Sequence, residues 1–262
     1  LTTMEKEGRD FGEVLKEAQE LGYAEADPSF DVDGVDAAHK LSILASLAFG
    51  TQIDFGSVDI GGIRSVSAAD IREAGALGYR IRLVGMAENR PNGLFQRVHP
   101  VLVPVQHPLA NVDGSLNAVL AEGNFVGSLF FSGRGAGEGP TASAVVADLI
   151  DIARDEYGDP FAMQVGQLAQ RPKADSGDNV GRVYLRFMVR DKPGVLAEIA
   201  AAMRDAGVSI ESVIQRGAHE DGSVLLVVVT HDSSESAIAE TLRTLSGSDN
   251  LLAEPVVMPI LD

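Results

Sequence analysis

The stretch GRVYLRFMVRDKPGVLAEIAAAMRDAGVSIESVIQRG, residues 181 to 217, decides the architecture of the C-terminal third. Arg182 to Val189 reads as a strand, Gly194 to Ala206 as a helix and Val208 to Gln215 as a second strand. Downstream, Ser223 to Thr230 reads as a third strand, Ser234 to Leu245 as a second helix and Leu252 to Ile260 as a fourth strand. The order βαββαβ is thus complete in about 80 residues, the length of a small independent domain. Within it, the alternation of SVLLVVVT favours a strand packed in a sheet, and the same strand is a candidate for an interface.

Working outward, composition changes at RPKADSGDN, residues 171 to 179, which marks a domain boundary. The expected division is a first domain over residues 1–170, a linker over 171–180 and the βαββαβ domain over 181–262. Residues 1 to 22 read as a helical segment: Asp10 and Glu13 have the form of a capping box, Phe11, Val14, Leu15, Ala18 and Leu21 make an apolar stripe, and Gly22 is the terminator. An acidic, turn-rich loop follows, YAEADPSFDVDG, and then a helix from Val35 to Phe49 that ends at Gly50. Residues 51 to 131 mix short helices with strand candidates around Arg80 to Ala87, Val98 to Val105 and Val126 to Phe131, which indicates an α+β or α/β domain. SGRGAGEGP, residues 132 to 140, leads into a helix from Thr141 to Tyr157. The opening LTTMEKEG reads as the end of an element, so an upstream part is expected beyond these residues.

Across 262 residues, 45% are hydrophobic, enough for a sizeable core and too many for disorder throughout. Twenty-one basic residues against 38 acidic ones leave a net charge of −17, which repels a phosphate backbone and argues against a nucleic-acid partner. The absence of cysteine excludes disulfides, thiolate catalysis and thiolate metal sites. No charge-free apolar run reaches the roughly 18 residues of a membrane span, and no signal peptide opens the chain, so the expectation is a cytoplasmic protein with no membrane partner.

Lys40 is the one formal charge between Asp36 and Asp54. Asp36 and Lys40 are four residues apart and share a helix face. A helix this apolar is expected to be buried on most sides, where an ammonium is tolerated only if paired or functional. One reading is a structural ion pair or a lysine whose stem snorkels to solvent. The other is a site, in which a lysine held by an aspartate sits beside the acidic Glu25 and Asp31, suited to recognising an amino group and delivering a proton to a developing alkoxide. His39 diverges from Lys40 by about 100° around the helix and reads as structural. His99 and His107 precede prolines and read as turn residues, and no metal-binding spacing of histidines is present.

Glycines 133, 135, 137 and 139 leave backbone bare before a helix, where amides can face an anion or simply form a tight connection. They match neither GxGxxG nor a P-loop. In the C-terminal domain, DKPGVLAEIA places Asp191, Pro193 and Gly194 at the exit of the first strand, either as a cradle for a small effector or as a plain loop.

These residues carry a specific resemblance. AQELGYAEADPSFDVDGVDAAHK, residues 18 to 40, resembles the signature of the homoserine dehydrogenases, with Gly22, Asp27, Pro28, Asp31, Gly34, Asp36 and Lys40 at the family spacing. The similarity continues through HPLANVDGSLNAV (107–119) and GRGAGEGPTASAVVADL (133–149), and the tail resembles an ACT regulatory domain, marked by DKPGVLAEIA. The resemblance implies an α+β fold: a homoserine dehydrogenase-like catalytic domain of mixed sheet and helices, followed by a ferredoxin-like βαββαβ ACT domain.

It also implies the NAD(P)-dependent interconversion of L-homoserine and L-aspartate 4-semialdehyde, in the biosynthesis of threonine, methionine and isoleucine. By the same resemblance Lys40 is the catalytic, proton-handling residue and Asp36 holds it and contacts substrate. Glu25 and Asp31 bind substrate, Gly22 and Gly137 lie against the NADP or NAD cofactor, and Asp191 and Gly194 belong to an effector site, with L-threonine the family's usual effector. No metal is implied, and a homodimer or homotetramer is. The family's N-terminal Rossmann domain, which holds most of the cofactor, has no counterpart in these residues, nor do a second lysine and an NGT segment that the family places near the substrate. The resemblance therefore implies little turnover from these 262 residues alone. A competing reading is a non-enzymatic amino-acid-binding regulator acting through the ACT domain; a truncated remnant that only oligomerises is another.

Overall fold

A computed structural model of the chain describes residues 1–20, 27–156, 158–218 and 222–261. In chain order the elements are α1 (Thr2–Glu7), α2 (Phe11–Glu20), α3 (Ser29–Val32), α4 (Val35–Phe49), β1 (Asp59–Ile60), α5 (Ala68–Ala76), β2 (Tyr79–Arg90), β3 (Gly93–Pro104), β4 (Leu116–Gly123), β5 (Gly127–Arg134), α6 (Glu138–Ala153), β6 (Val180–Gly181), β7 (Val183–Arg190), α7 (Val195–Asp205), β8 (Ile210–Ala218), β9 (Ser223–Thr230), β10 (Ser233–Ser234), α8 (Glu235–Leu245) and β11 (Val256–Pro259).

Three long C-terminal strands and the short β11 form an antiparallel sheet in the order β11-β7-β9-β8. Period-two alternation gives this sheet two apolar faces. Leu185, Phe187, Leu226 and Val228 pack with Ile199 and Met203 of α7 and Ile238 and Leu245 of α8. Tyr184, Leu225, Val227, Val229 and Met258 face the other way and share a core with Val66, Ala74, Ile81 and Leu102 of the N-terminal region. The central strand β9 is buried at every position and paired on both sides, so it is not free to act as an interface.

The N-terminal sheet is mixed, with order β1-β3-β2; β1 runs parallel to β3 and the long β2 antiparallel to it. One end of β2 places Ile81 in the core shared with the C-terminal sheet, while Leu83 and Ala87 further along pack with Ala38 and Leu41 of α4. Residues 171–180 are stitched to the body: the Leu94 amide donates to the Pro172 carbonyl (2.8 Å), the Ala174 amide donates to the Leu94 carbonyl (3.0 Å), and β6 pairs with β10.

Several sequence expectations are corrected. The single helix over 1 to 22 is two, because Gly8 adopts φ 67° and ends α1. The expected stripe on α2 buries no residue, and the Asp10 carboxylate accepts from the Ala68 amide (3.3 Å). Leu21 and Gly22 lie outside the described residues. His99 is not a turn residue but lies within β3, whereas His107 does open a turn by accepting from the Leu109 amide. Strand β4, not expected, pairs with β5 over its full length. α6 starts at Glu138, ahead of Thr141, because proline is tolerated in a first helical turn. The last strand is shorter than expected, Val256–Pro259.

A polar network also joins the two regions. Arg97 reaches Glu235 (Nη2 to Oε2, 2.6 Å) and Asp59 (Nε to Oδ2, 3.0 Å), and Asn179 donates to Glu235 (2.9 Å). His99 Nε2 lies 3.4 Å from Asp59 Oδ2, and burial holds its imidazole below the usual histidine range, outweighing the pull of that carboxylate. The unfolded chain therefore takes up this proton first as pH falls. Its neutral form contributes stability that is present above about pH 6.5 and lost as pH drops through the folded value. The fall in melting temperature from pH 7 to pH 5 is expected to be smaller in His99→Gln than in the unaltered chain; equal falls would refute this account.

Candidate functional site

Helix α4 begins at Gly34 and carries Asp36 in its first turn and Lys40 one turn on. Lys40 Nζ donates to Asp36 Oδ2 at 2.6 Å, the i,i+4 contact that the spacing requires. An acidic residue in the first turn of a helix is also favoured by the helix dipole.

Burial differs from expectation. Ala38, Leu41 and Ala45 are buried, but Ile43, Leu44 and Leu47 are exposed, so α4 packs on one side only. The Lys40 side chain is 61% exposed and that of Asp36 36%. Lys40 is thus an accessible ammonium held in place by a carboxylate rather than a cation sealed in a core.

The short helix α3 sits just ahead of α4. Asp27 accepts from the Ser29 amide (3.1 Å) and hydroxyl (2.5 Å), and these bonds hold its carboxyl below the usual range. Asp31 is exposed and makes no side-chain hydrogen bond or ion pair among the described residues. Arg64 grips this loop from the strand side, its Nη2 donating to Ser29 Oγ (3.0 Å) and Asp33 Oδ2 (3.2 Å) and its Nε to Asp33 Oδ1. A second clamp is aromatic: His39 stacks on Phe55 (centroids 4.0 Å apart) and on Phe30 of α3 (5.7 Å). His39 therefore has a packing role, as its position on the helix indicated. Arg64, Phe30 and Phe55 were missed by sequence reasoning, because contacts such as Arg64 to Asp33, 31 residues apart, leave no local pattern.

The remaining expected residues fall in separate places. Glu25 and Gly22 lie outside the described residues. Gly137 is the N-cap of α6 with φ 116°, a conformation open to glycine, and the surrounding loop and helix are exposed. Asp191 and Gly194 line a cleft of about 220 Å³ at the mouth of the C-terminal sheet, together with Val189, Lys192, Gln215 and Leu226. Gly194 caps α7 at φ 96°. Among the described residues no group of three or more His, Asp or Glu is placed to hold a metal ion, and no helix is long and apolar enough to cross a membrane.

The chain as a whole is similar to known proteins. The homoserine dehydrogenase family profile matches residues 1–150, and the ACT domain profile matches residues 183–247. The chain belongs to the homoserine dehydrogenase family. It is 45% identical to the homoserine dehydrogenase of Pseudomonas aeruginosa over 98% of this chain and 61% of that one, and 42% identical to that of Neisseria gonorrhoeae over 98% and 60%. The crystal structure of a homoserine dehydrogenase from Thiobacillus denitrificans superimposes with a TM-score of 0.88 at 40% identity, covering all of this chain and 61% of that one. A homoserine dehydrogenase structure from Staphylococcus aureus gives 0.71 at 31% identity, with the same coverage. The chain thus spans about three fifths of the length of these homoserine dehydrogenases. Their fold is the one described above, a mixed α+β region followed by an ACT domain.

Arg64→Ala is expected to loosen the acidic loop without unfolding the chain. Half-exposed ion pairs contribute about 0.2–1 kcal/mol, so amide exchange over residues 29–33 should quicken by at most about fivefold, read by hydrogen exchange. Unaltered exchange would show that the stack on His39 holds the loop alone.

Proposed function

We propose that this chain supplies the substrate-handling and regulatory parts of a homoserine dehydrogenase, interconverting L-homoserine and L-aspartate 4-semialdehyde in amino-acid biosynthesis. The observation that carries this reading is the exposed Lys40 ammonium held at 2.6 Å by Asp36 beside an acidic loop, in a chain of this family.

The substrate is an amino acid with a carbonyl at its far end. Asp31, with Glu25, meets its ammonium group, and Lys40 meets its aldehyde oxygen. A nicotinamide bound here would supply the hydride, and with it the two electrons, that turn the aldehyde into an alcohol. The two electrons of the carbon–oxygen π bond move onto oxygen, which takes a proton from the Lys40 ammonium; solvent then restores that proton. Asp36 holds the lysine in place, so that its ammonium stabilises the growing negative charge before the proton moves. In the opposite direction a neutral Lys40 removes the hydroxyl proton. The domain division at 171–180 belongs to this reading, with catalysis upstream and regulation downstream.

The residues present fit one edge of a nicotinamide site. Gly137 brings bare backbone to the start of the 16-residue α6, and the loop before it is open. NAD or NADP would be held there by the backbone of Gly137, and the family signature adds Gly22 as a second cofactor glycine. We assign the greater part of cofactor binding to the further length that the relatives possess, so the 262 residues alone should show little turnover.

The cleft at Asp191 and Gly194 is read as an amino-acid effector site, with L-threonine the candidate. A homodimer or homotetramer is supported by the hairpin β4–β5. This two-stranded ribbon leaves Leu129, Phe130 and Phe131 exposed, and such ribbons are marginal in water unless another surface covers them. Cytoplasmic location is part of the same reading.

The test is Lys40→Ala in a protein of the relatives' full length, assayed by nicotinamide absorbance. General acid–base groups contribute about 10²- to 10⁴-fold, so kcat should fall by that factor while the melting temperature holds. An unchanged kcat/KM would remove Lys40 from the chemistry.

A further inference from the structure

Helix α5 presents two carboxylates, Asp70 and Glu73, whose side chains have no exposed surface. Buried carboxylates are stable only when paired, and most partners here come from the sheet of the ACT domain. Tyr184 on β7 donates its hydroxyl to Asp70 Oδ1 at 3.0 Å. The Arg186 Nε lies 2.8 Å from the same oxygen, as a charge contact rather than an aligned hydrogen bond. Arg216 on β8 donates to Glu73 Oε2 at 3.2 Å. The other oxygens are held locally, Asp70 by Ser67 and Glu73 by Arg72.

The same two strands lead to the effector cleft. Gln215 lines the cleft and Arg216, the next residue, points to the opposite face of the sheet and to Glu73. Val189 lines the cleft, while Tyr184 and Arg186, of the other parity on the same strand, face Asp70. A displacement of β7 by a ligand therefore moves the partners of Asp70, and a displacement of β8 moves that of Glu73. On its far side α5 is continuous with the site, because β2 carries Ile81 under α5 and Leu83 and Ala87 under α4.

We propose that the contacts of Asp70 with Tyr184 and Arg186, and of Glu73 with Arg216, form a latch that transmits occupancy of the ACT cleft to the helix bearing Asp36 and Lys40. This rests on reading the cleft as an amino-acid effector site. A free α-amino acid in the cleft orders the ends of β7 and β8, tightens both carboxylate contacts and holds α5 against β2.

Hydrogen–deuterium exchange on the 262-residue chain, with L-threonine as the probe and calorimetry to follow binding, tests this. In the unaltered chain threonine should slow exchange over residues 68–76 and 35–40 by about fivefold, the lower end of typical coupling. In Arg216→Met, threonine should bind as tightly but leave residues 68–76 unprotected. Glu73→Gln, which keeps the shape but replaces one accepting oxygen with an NH2 donor, should lose most of the same response, and far-UV dichroism establishes that both variants are folded. Binding without protection of α5 in the unaltered chain would overturn the latch and leave the effector reading standing, as would protection that survives in both variants. An absence of threonine binding would overturn the effector reading, and the latch with it.

Discussion

Asp70 and Glu73 place two carboxyl groups where neither has any exposed surface, and the surrounding structure is arranged to meet them with partners. A lone buried carboxylate is strongly unfavourable, so α5 is tolerated only where hydroxyl and guanidinium groups meet it. Those groups stand on the second face of a ferredoxin-like sheet whose first face is already occupied by α7 and α8. Tyr184 shows the same constraint from the other side, since burial beside Asp70 pushes its hydroxyl well above the usual tyrosine range and leaves it a hydrogen-bond donor. The apolar residues around this cluster, Val66, Ile81, Leu102, Leu225, Val227 and Met258, come from both regions, so neither has a complete core without the other.

With α5 anchored in this way, β2 and β3 follow, because Ile81 and Leu102 are part of the same core. The far part of that sheet supports α4 through Leu83, Ala87 and Val98. Lys40 and Asp36 are thereby carried on the outer side of a helix whose inner side is locked. The acidic loop is held more lightly, by Arg64 and by the stack of His39 between Phe30 and Phe55. The helix bearing Lys40 and Asp36 is therefore fixed along its inner side, while the short α3 segment bearing Asp31 is clamped at fewer points.

The βαββαβ order, the α4 helix and its Asp36–Lys40 pair were all legible in the sequence because each rests on local spacing: a period of two for strands, and four residues for a helical contact. The family signature was legible for the same reason, being a contiguous run ending at Lys40. β4 escaped notice, since LNAVLAEG carries no strict alternation and becomes a strand by pairing with β5. The SAAD start of α5 was a readable helix cap, Ser67 to Asp70, that went unread. The burial of Lys40 was misjudged because apolar composition reports how much surface a helix would bury, not whether a neighbour is there to cover it.

Local spacing along the chain was enough for most of the longer elements, the βαββαβ order, the family and the pairing of Asp36 with Lys40, because these depend on neighbours within a turn or two. The exposure of Lys40, the bracing of the acidic loop by Arg64 and Phe55, and the closing of the second face of the C-terminal sheet on Asp70 and Glu73 arise from folding alone. Those facts depend on which distant surfaces meet, with partners as far apart as Glu73 and Arg216, 143 residues along the chain. Desolvation and pairing of charge are set by that meeting and by nothing in the local pattern.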